Sequence, residues 1–157
     1  MFREMRRIKQ QVSIEECHKV LKAAKRGVLS LIGEEGYPYG VPVNFVYDEK
    51  ENIIYIHGAR EGHKIDAINN NNKVSFTTWD DGYKKSGDWA WYVTSVIIRG
   101  TGELIDDPEI MKEKIMDLGV RFTNQEEVQG MIERNIEKVS VIAIHIDNIT
   151  GKLVHEK

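Results

Sequence analysis

One stretch of the chain combines basic side chains with small residues in a pattern typical of an anion site. It reads YIHGAREGHKID over residues 55–66. A strand that ends at His57 leads, through two small residues with an accessible backbone, into a helix that begins near Gly62. Cations are unfavourable at a helix N-terminus because the helix dipole is already positive there. Around free backbone N–H groups they favour a bound phosphate instead. The basic residues at this helix start are Arg60, His63 and Lys64.

A solvated basic helix start is the alternative interpretation of the same residues.

Nucleophilic, acid–base and metal chemistry are weakly supported by the sequence. Cys17 lies on the apolar face of an expected helix, where a cysteine usually acts as a small hydrophobe. Asp80 and Asp81 are adjacent acids at a strand end, which is typical of a solvated turn. No pair of histidines or cysteines has metal-ligand spacing, so no metal site is predicted.

Composition excludes several classes of function. The 157 residues include 22 Lys and Arg against 25 Asp and Glu, a net charge of −3, which argues against nucleic acid as a partner. No apolar run approaches the roughly 18 residues of a membrane span. We expect one domain, with residues 1–10 as a partly mobile lead-in. A single cysteine and no signal peptide favour the cytoplasm.

Hydrophobic periodicity predicts the elements that position these residues. A capping box at Ser13 opens a helix over 14–26, and Asp107 with Pro108 opens another. Further helices are expected over 61–70 and 126–135. The predicted strands cover 28–32, 41–47, 53–57, 74–79, 94–105 and 139–146.

The order of these elements predicts a fold that is mainly β. Few segments alternate strand and helix as a doubly wound parallel sheet requires, so an antiparallel sheet curled into a small barrel, with helices outside, is favoured. Pro42 cannot donate a ladder hydrogen bond and indicates an edge strand. The strand over 139–146 is apolar on both faces, which predicts a central position.

Four motifs resemble the flavin-binding family related to pyridoxamine 5′-phosphate oxidase, and within it the nitroimidazole-resistance branch. They are VPVNF at 41–45, YIHGA at 55–59, EGHKID at 61–66 and TSVIIRGTGEL at 94–104. Their order and spacing make the resemblance specific, and it extends from about residue 5 to residue 150. The resemblance implies an antiparallel six-stranded split β-barrel that forms homodimers with FMN between the subunits.

The resemblance also assigns roles to particular residues. The backbone of 41–44 would lie along the isoalloxazine ring, the strand end at 57–59 would border the cleft, and His63 and Lys64 would hold the phosphate. The implied cofactor-binding residues are Val41, Pro42, Val43, Asn44, His57, Gly58, Ala59, Arg60, His63, Lys64, Trp89, Trp91 and Arg99. Better-known members often carry Arg-Lys where this chain has His63-Lys64, and histidine titrates near neutrality. FMN is therefore expected to bind more weakly as pH rises.

Four of these residues keep two interpretations. His57 either faces the reactive cleft as a catalytic residue or forms a hydrogen bond at the barrel rim. Trp89 and Trp91 either fill the core or form a lid over a flat ring, reaching across to the partner subunit. Arg99 is either a surface residue of its strand or a cofactor ligand.

The resemblance implies an FMN-dependent oxidoreductase that reduces small nitro-aromatic molecules with electrons from a reduced nicotinamide. The alternative is a flavin carrier or sensor without turnover of its own. Haem or a deazaflavin is a weaker third option, because related split barrels use these cofactors.

Overall fold

The computed structural model describes residues 2–155 as one sheet with helices around it. The helices are α1 (Ile14–Ala23), α2 (His63–Asn70), α3 (Pro108–Gly119) and α4 (Gln125–Asn135). The strands are β1 (Arg26–Ile32), β2 (Pro38–Asn44), β3 (Val46–Asp48), β4 (Ile53–Ala59), β5 (Lys73–Trp79), β6 (Tyr83–Lys84), β7 (Trp91–Ile105) and β8 (Val139–His155). None of the helices in this part of the chain has the length and apolar character needed to cross a bilayer.

The two edge strands of the sheet are joined in the chain by a single residue. Its strand order is β2-β1-β5-β7-β8-β4-β3, all antiparallel, with β6 attached to β7. The two outermost strands, β2 and β3, follow each other in the chain and are separated only by Phe45. If they count as one bent strand and the two-residue β6 is set aside, the barrel has the six strands predicted. The opening between β2 and β4 beside Phe45 is the barrel split.

The core fills the barrel with side chains from alternate strand positions. Phe45 and Phe76 are fully buried there, with ring centroids 4.8 Å apart. Ile54 and Ile56 on β4 also point inward, whereas Tyr55 points outward into a second cluster beneath α3. This alternation fixes which face of β4 each later residue occupies.

Two of the predicted helix starts, those after Ser13 and Asp107, are confirmed by their caps. The Ser13 hydroxyl accepts from the Glu16 amide at 3.3 Å, and the Asp107 carboxylate accepts from the Glu109 and Ile110 amides. The first helix was predicted three residues too long, because the chain is extended at Ala24 and β1 begins at Arg26. The helix predicted over 61–70 was placed two residues too early, because α2 begins at His63.

All six predicted strands extend beyond their predicted bounds, and β8 extends the furthest. β8 continues to His155 and β7 begins at Trp91, and the two pair from Tyr92 and His155 through to Ile105 and Val141. The central position predicted for β8 is confirmed, since it lies between β7 and β4.

Within the expected lead-in over 1–10, residues 8–10 form a 3₁₀ turn and Met1 lies outside the described residues. Residues 156 and 157 at the C-terminus also lie outside the described residues.

Candidate functional site

The Lys64 side chain lies against the end of β4. A Cβ built on Gly58 would stand 2.7 Å from the Lys64 Nζ and 3.3 Å from its Cε, so only glycine leaves room for the ammonium at this position. Gly58 shares the inward face of β4 with Ile54 and Ile56, because residues two apart point the same way. The ammonium is thereby placed at the end of the barrel, in a corner formed by residues 57–64, hereafter the 57–64 corner.

The Lys64 ammonium is half-buried and lacks an acidic partner among residues 2–155. Burial lowers its pKa, and no carboxylate counteracts this. Glu61 and Asp66 flank Lys64 in the sequence, yet neither forms an ion pair with it. A partly desolvated cation without a counter-charge is a favourable place for an anion.

The N-terminus of α2 adds backbone donors to this corner. Its N-cap is Gly62, at a φ of 116°, which has no side chain to cap the helix. The Gly62 carbonyl accepts from the Ile65 and Asp66 amides. The first-turn amides of His63 and Lys64 therefore lie at the positive end of the helix dipole.

His57 lies on the opposite face of β4 from Gly58. It shares the outward face with Tyr55, so its imidazole and the Lys64 ammonium do not project from the same side of the strand. Although the side chain keeps exposed surface, local burial lowers the pKa of His57, and the charge of Lys64 lowers it further. His57 is therefore predominantly neutral at pH 7.

The His63 ring lies beside β2 and the turn between β1 and β2. Its ring meets the Tyr39 ring edge-on, with centroids 6.2 Å apart. Together with Asp66 and the turn residues Glu34 and Glu35, these rings line a cleft of about 700 Å³. The sequence pattern pairs His63 with Lys64, but the structure turns the two side chains to different surroundings.

Arg60 and Ala59 are fixed to the beginning of β8. The Arg60 Nε donates to the Val139 carbonyl at 3.1 Å, and the Ser140 hydroxyl donates to the Ala59 carbonyl at 2.8 Å. Arg60 remains exposed, so its charge contributes to the rim of the corner while its Nε anchors the strand end.

Residues 41–44 and 57–59 lie on the two sides of the barrel split. Val46 pairs with Tyr55, and the same register continued would place Asn44 opposite His57. Instead the strands separate, and β2 pairs with β1, which matches Asn44 with Arg26. The Arg26 Nε donates to the Asn44 Oδ1 at 3.3 Å. The two segments that the sequence resemblance assigns to the cofactor therefore border the same opening.

Arg121 holds the chain where the split begins, and sequence analysis overlooked it. Its Nη1 donates to the Phe45 carbonyl at 3.2 Å, and its Nη2 donates to the carbonyls of Lys22 and Ala24 at 2.9 and 2.7 Å. These partners lie 76 to 99 positions away in the chain. No local pattern around Arg121 could have indicated them.

Trp89 and Trp91 lie at the other end of the β7–β8 pair from the 57–64 corner. His57 shares a row with Ile105 through Val141, whereas Trp91 begins β7, 14 positions earlier. At about 3.3 Å per residue this is some 45 Å of strand. Both indoles are largely exposed, at 67% and 55%, so they do not fill the core.

Arg99 lies midway along β7 on its exposed face. Its guanidinium donates to the Asn148 Oδ1 at 3.3 Å and stands 5.4 Å from the centre of the Phe2 ring. The structure therefore places Arg99 with the N-terminal segment and not with Lys64.

The sequence profile named "Pyridoxamine 5′-phosphate oxidase" matches residues 13–153. The chain belongs to this family. The match includes both sides of the barrel split and the whole 57–64 corner. No curated protein matches the chain significantly.

Solved structures share the fold of this family member. A protein from Bacteroides thetaiotaomicron, assigned provisionally to 5-nitroimidazole antibiotic resistance, is 23% identical with a TM-score of 0.73, over 94% of this chain and 90% of the other. A FAD-binding protein from Mesorhizobium loti is 23% identical with a TM-score of 0.66, over 92% and 96%. A conserved hypothetical protein from Mycobacterium tuberculosis is 17% identical with a TM-score of 0.79, over 95% and 90%. At these identities the likeness shows that the split-barrel fold is common to all of them.

Proposed function

We propose that the chain binds FMN at the barrel split and acts as a flavin-dependent oxidoreductase. The observation that carries this proposal is the half-buried Lys64 ammonium, seated on Gly58 without an acidic partner in the described chain. A terminal phosphate would supply the missing counter-charge. Among flavins, riboflavin has no such group, whereas FMN carries a dianion and FAD a diphosphate.

Different residues of the chain bind different parts of FMN. Lys64 and the first-turn amides of α2 hold the phosphate, and Arg60 adds positive charge at the rim. Residues 41–44 and 57–59 border the opening in which the flat ring lies. Gly58 keeps that strand end free of a side chain that would displace the ammonium.

His57 is the proposed catalytic residue. Bound flavin supplies the electron and hydride transfer, so the protein needs to orient the reactants and control protons. Because its pKa is lowered, the His57 imidazole is neutral near pH 7 and offers one donor and one acceptor nitrogen at the strand end. It can form a hydrogen bond to the flavin or the substrate without adding a second positive charge beside Lys64.

The proposal includes a homodimer in which aromatic residues cross to the other subunit. Trp89 precedes β7 and Trp91 begins it, and both are exposed and far from Lys64 along the strands of their own chain. Burial of two such indoles against a second copy would stabilise the association. As lid residues over a flavin ring, they would act on the partner's site. We retain Arg99 as a cofactor ligand only if it, too, contacts the flavin of the partner subunit.

A nitro-aromatic substrate and a reduced nicotinamide donor complete the proposal. The structural likeness to the Bacteroides thetaiotaomicron protein supports the first, through the resistance assigned to that protein. The alternative is a flavin carrier or sensor, favoured by the likeness to a protein described only as FAD-binding. Steady-state oxidation of NADH or NADPH with an added nitro-aromatic acceptor separates an enzyme from a carrier.

Lys64→Met tests the anchor directly. The variant should bind FMN at least about tenfold more weakly, because a charge-assisted hydrogen bond to the phosphate is lost. Flavin fluorescence titration measures the dissociation constants of FMN and FAD. Lys112→Met is the matched control, since Lys112 is an exposed lysine paired with Glu109 on α3. Equal FMN affinity in wild type and Lys64→Met would refute the phosphate assignment.

A further inference from the structure

Arg121 connects the helical side of the molecule to the barrel split. Its guanidinium donates to the Phe45 carbonyl, which lies between β2 and β3, and to carbonyls at the C-terminal end of α1. The same group stands 5.7 Å from the centre of the Phe45 ring. One side chain therefore touches both the backbone and the ring of the residue at which the barrel opens.

We infer that Arg121 is a positioning residue for flavin binding: its bond to Phe45 keeps residues 41–44 turned away from β4. This inference rests on the proposed function, since it concerns the segment assigned to the flavin ring. Arg121 itself does not touch the proposed cofactor. Its influence passes through the backbone of β2.

Both backbone polar groups of Phe45 are diverted from strand pairing. Its N–H donates to the Lys25 carbonyl at 3.2 Å, and its C=O accepts from the Arg121 Nη1. A carbonyl without that donor would gain by pairing with the neighbouring strand, because buried backbone groups are costly to leave unpaired. β4 is the neighbour available, and closure of β2 onto β4 would narrow the split.

The geometry of arginine suits this task. The forked guanidinium reaches Phe45 through one nitrogen and the carbonyls of Lys22 and Ala24 through another. A lysine has a single nitrogen and cannot hold both places in the same way. The α1 end is a favourable site for a cation because the helix dipole is negative there. Arg121 thus uses a helix cap as a fixed point from which to hold β2.

The test compares FMN with riboflavin, which has the same ring and no phosphate. Arg121→Met should weaken both ligands by the same factor, about tenfold (about 1.4 kcal/mol), because the segment bordering the ring is displaced. Lys64→Met should weaken FMN and leave riboflavin nearly unchanged. Arg121→Lys should recover part of the loss for both ligands, and it is the variant to use if Arg121→Met does not fold.

A purely structural role for Arg121 would give a different result. Ile132→Ala in α4 is the matched control, because Ile132 is buried away from the split and its truncation lowers the unfolding midpoint. This control should bind both ligands as wild type does. Wild-type affinity for riboflavin in a folded Arg121 variant would overturn the inference, as would a loss confined to FMN.

Hydrogen exchange tests the same inference without any ligand. In Arg121→Met, the non-proline amides of residues 39–46 should change their exchange rates by about tenfold or more, because β2 is no longer held in its wild-type position, while the amides of 139–155 keep their wild-type rates. Unchanged exchange over 39–46 would overturn the inference. Failure of the wild-type chain to bind any flavin would refute the proposed function, and the exchange result would still decide whether Arg121 holds β2.

Discussion

Two lysines pack against β4, and their surroundings are opposite. Lys114 of α3 is 6% exposed, and its Nζ lies 3.1 Å from Asp48 and 3.0 Å from Glu113. Burial by itself would lower the pKa of Lys114, but the hydrogen bonds and charges of these carboxylates outweigh it, so the pKa lies above its usual value. Lys64 touches the other end of the strand, is less buried and has no acidic partner in the described chain. Its pKa is lowered.

The difference separates a structural cation from one available to a ligand. A buried charge is tolerated when the protein supplies the counter-charge. At Lys114 the ion pair with Asp48 connects α3 to the end of β3. At Lys64 the described residues supply positive helix-end amides and no carboxylate. The folded chain therefore bears a desolvation cost that a bound phosphate would offset.

The largest expected effect follows from removing the structural cation. Lys114→Met leaves the Asp48 carboxylate without its cation and should lower the free energy of unfolding by about 3 kcal/mol. Thermal or urea unfolding measures it. FMN affinity should stay at the wild-type value at temperatures where the variant is folded. A wild-type unfolding free energy, or a large loss of FMN affinity, would contradict the separation between the two lysines.

A smaller effect should follow from Gly58→Ala. The added Cβ would stand 2.7 Å from the Lys64 Nζ, so the flexible ammonium must move off the strand end. FMN affinity should fall by about three- to tenfold, while the unfolding free energy changes by less than about 1 kcal/mol. Gly40→Ala is the matched control, because its Cβ meets Val28 only at an ordinary 3.5 Å. Equal FMN affinities for the two variants would count against the seat on Gly58.

The sequence predicted the elements whose signals are local. The Ser13 and Asp107 caps, the strand–small–small–helix pattern at 57–64 and the edge position of Pro42 all arise from residues close together in the chain. β8 beyond Ile146 was missed because Asp147, Asn148 and Lys152 interrupt the alternation of apolar residues, and pairing with β7 holds that part in the sheet.

Features of the site that depend on distant contacts could not be predicted. Glu61 and Asp66 are near enough in sequence to pair with Lys64, and only the folded chain shows that they do not. The surroundings of His63 differ from those of Lys64 because the His63 ring contacts Tyr39 of β2, a residue distant in the sequence. The bonds of Arg121 depend on α1 and on the bend at Phe45.

The smallest expected effect is electrostatic and concerns His57. Burial and then the Lys64 charge lower the pKa of His57 from its usual 6.5. Removing the charge in Lys64→Met should therefore raise this pKa, and NMR titration of the imidazole measures it. Because the folded chain binds fewer protons at His57 than the unfolded chain does, stability should fall as pH drops below about 6.5, and fall less in the variant. An equal or lower pKa in Lys64→Met would mean that the two groups do not interact.

The ratio of FMN to riboflavin affinity tests the central claim most directly, because the two ligands differ only in the phosphate that Lys64 is proposed to hold. In the wild-type chain FMN should bind at least about tenfold more tightly than riboflavin. In Lys64→Met the ratio should fall toward one through weaker FMN binding alone. A ratio that is the same in both proteins would contradict the account.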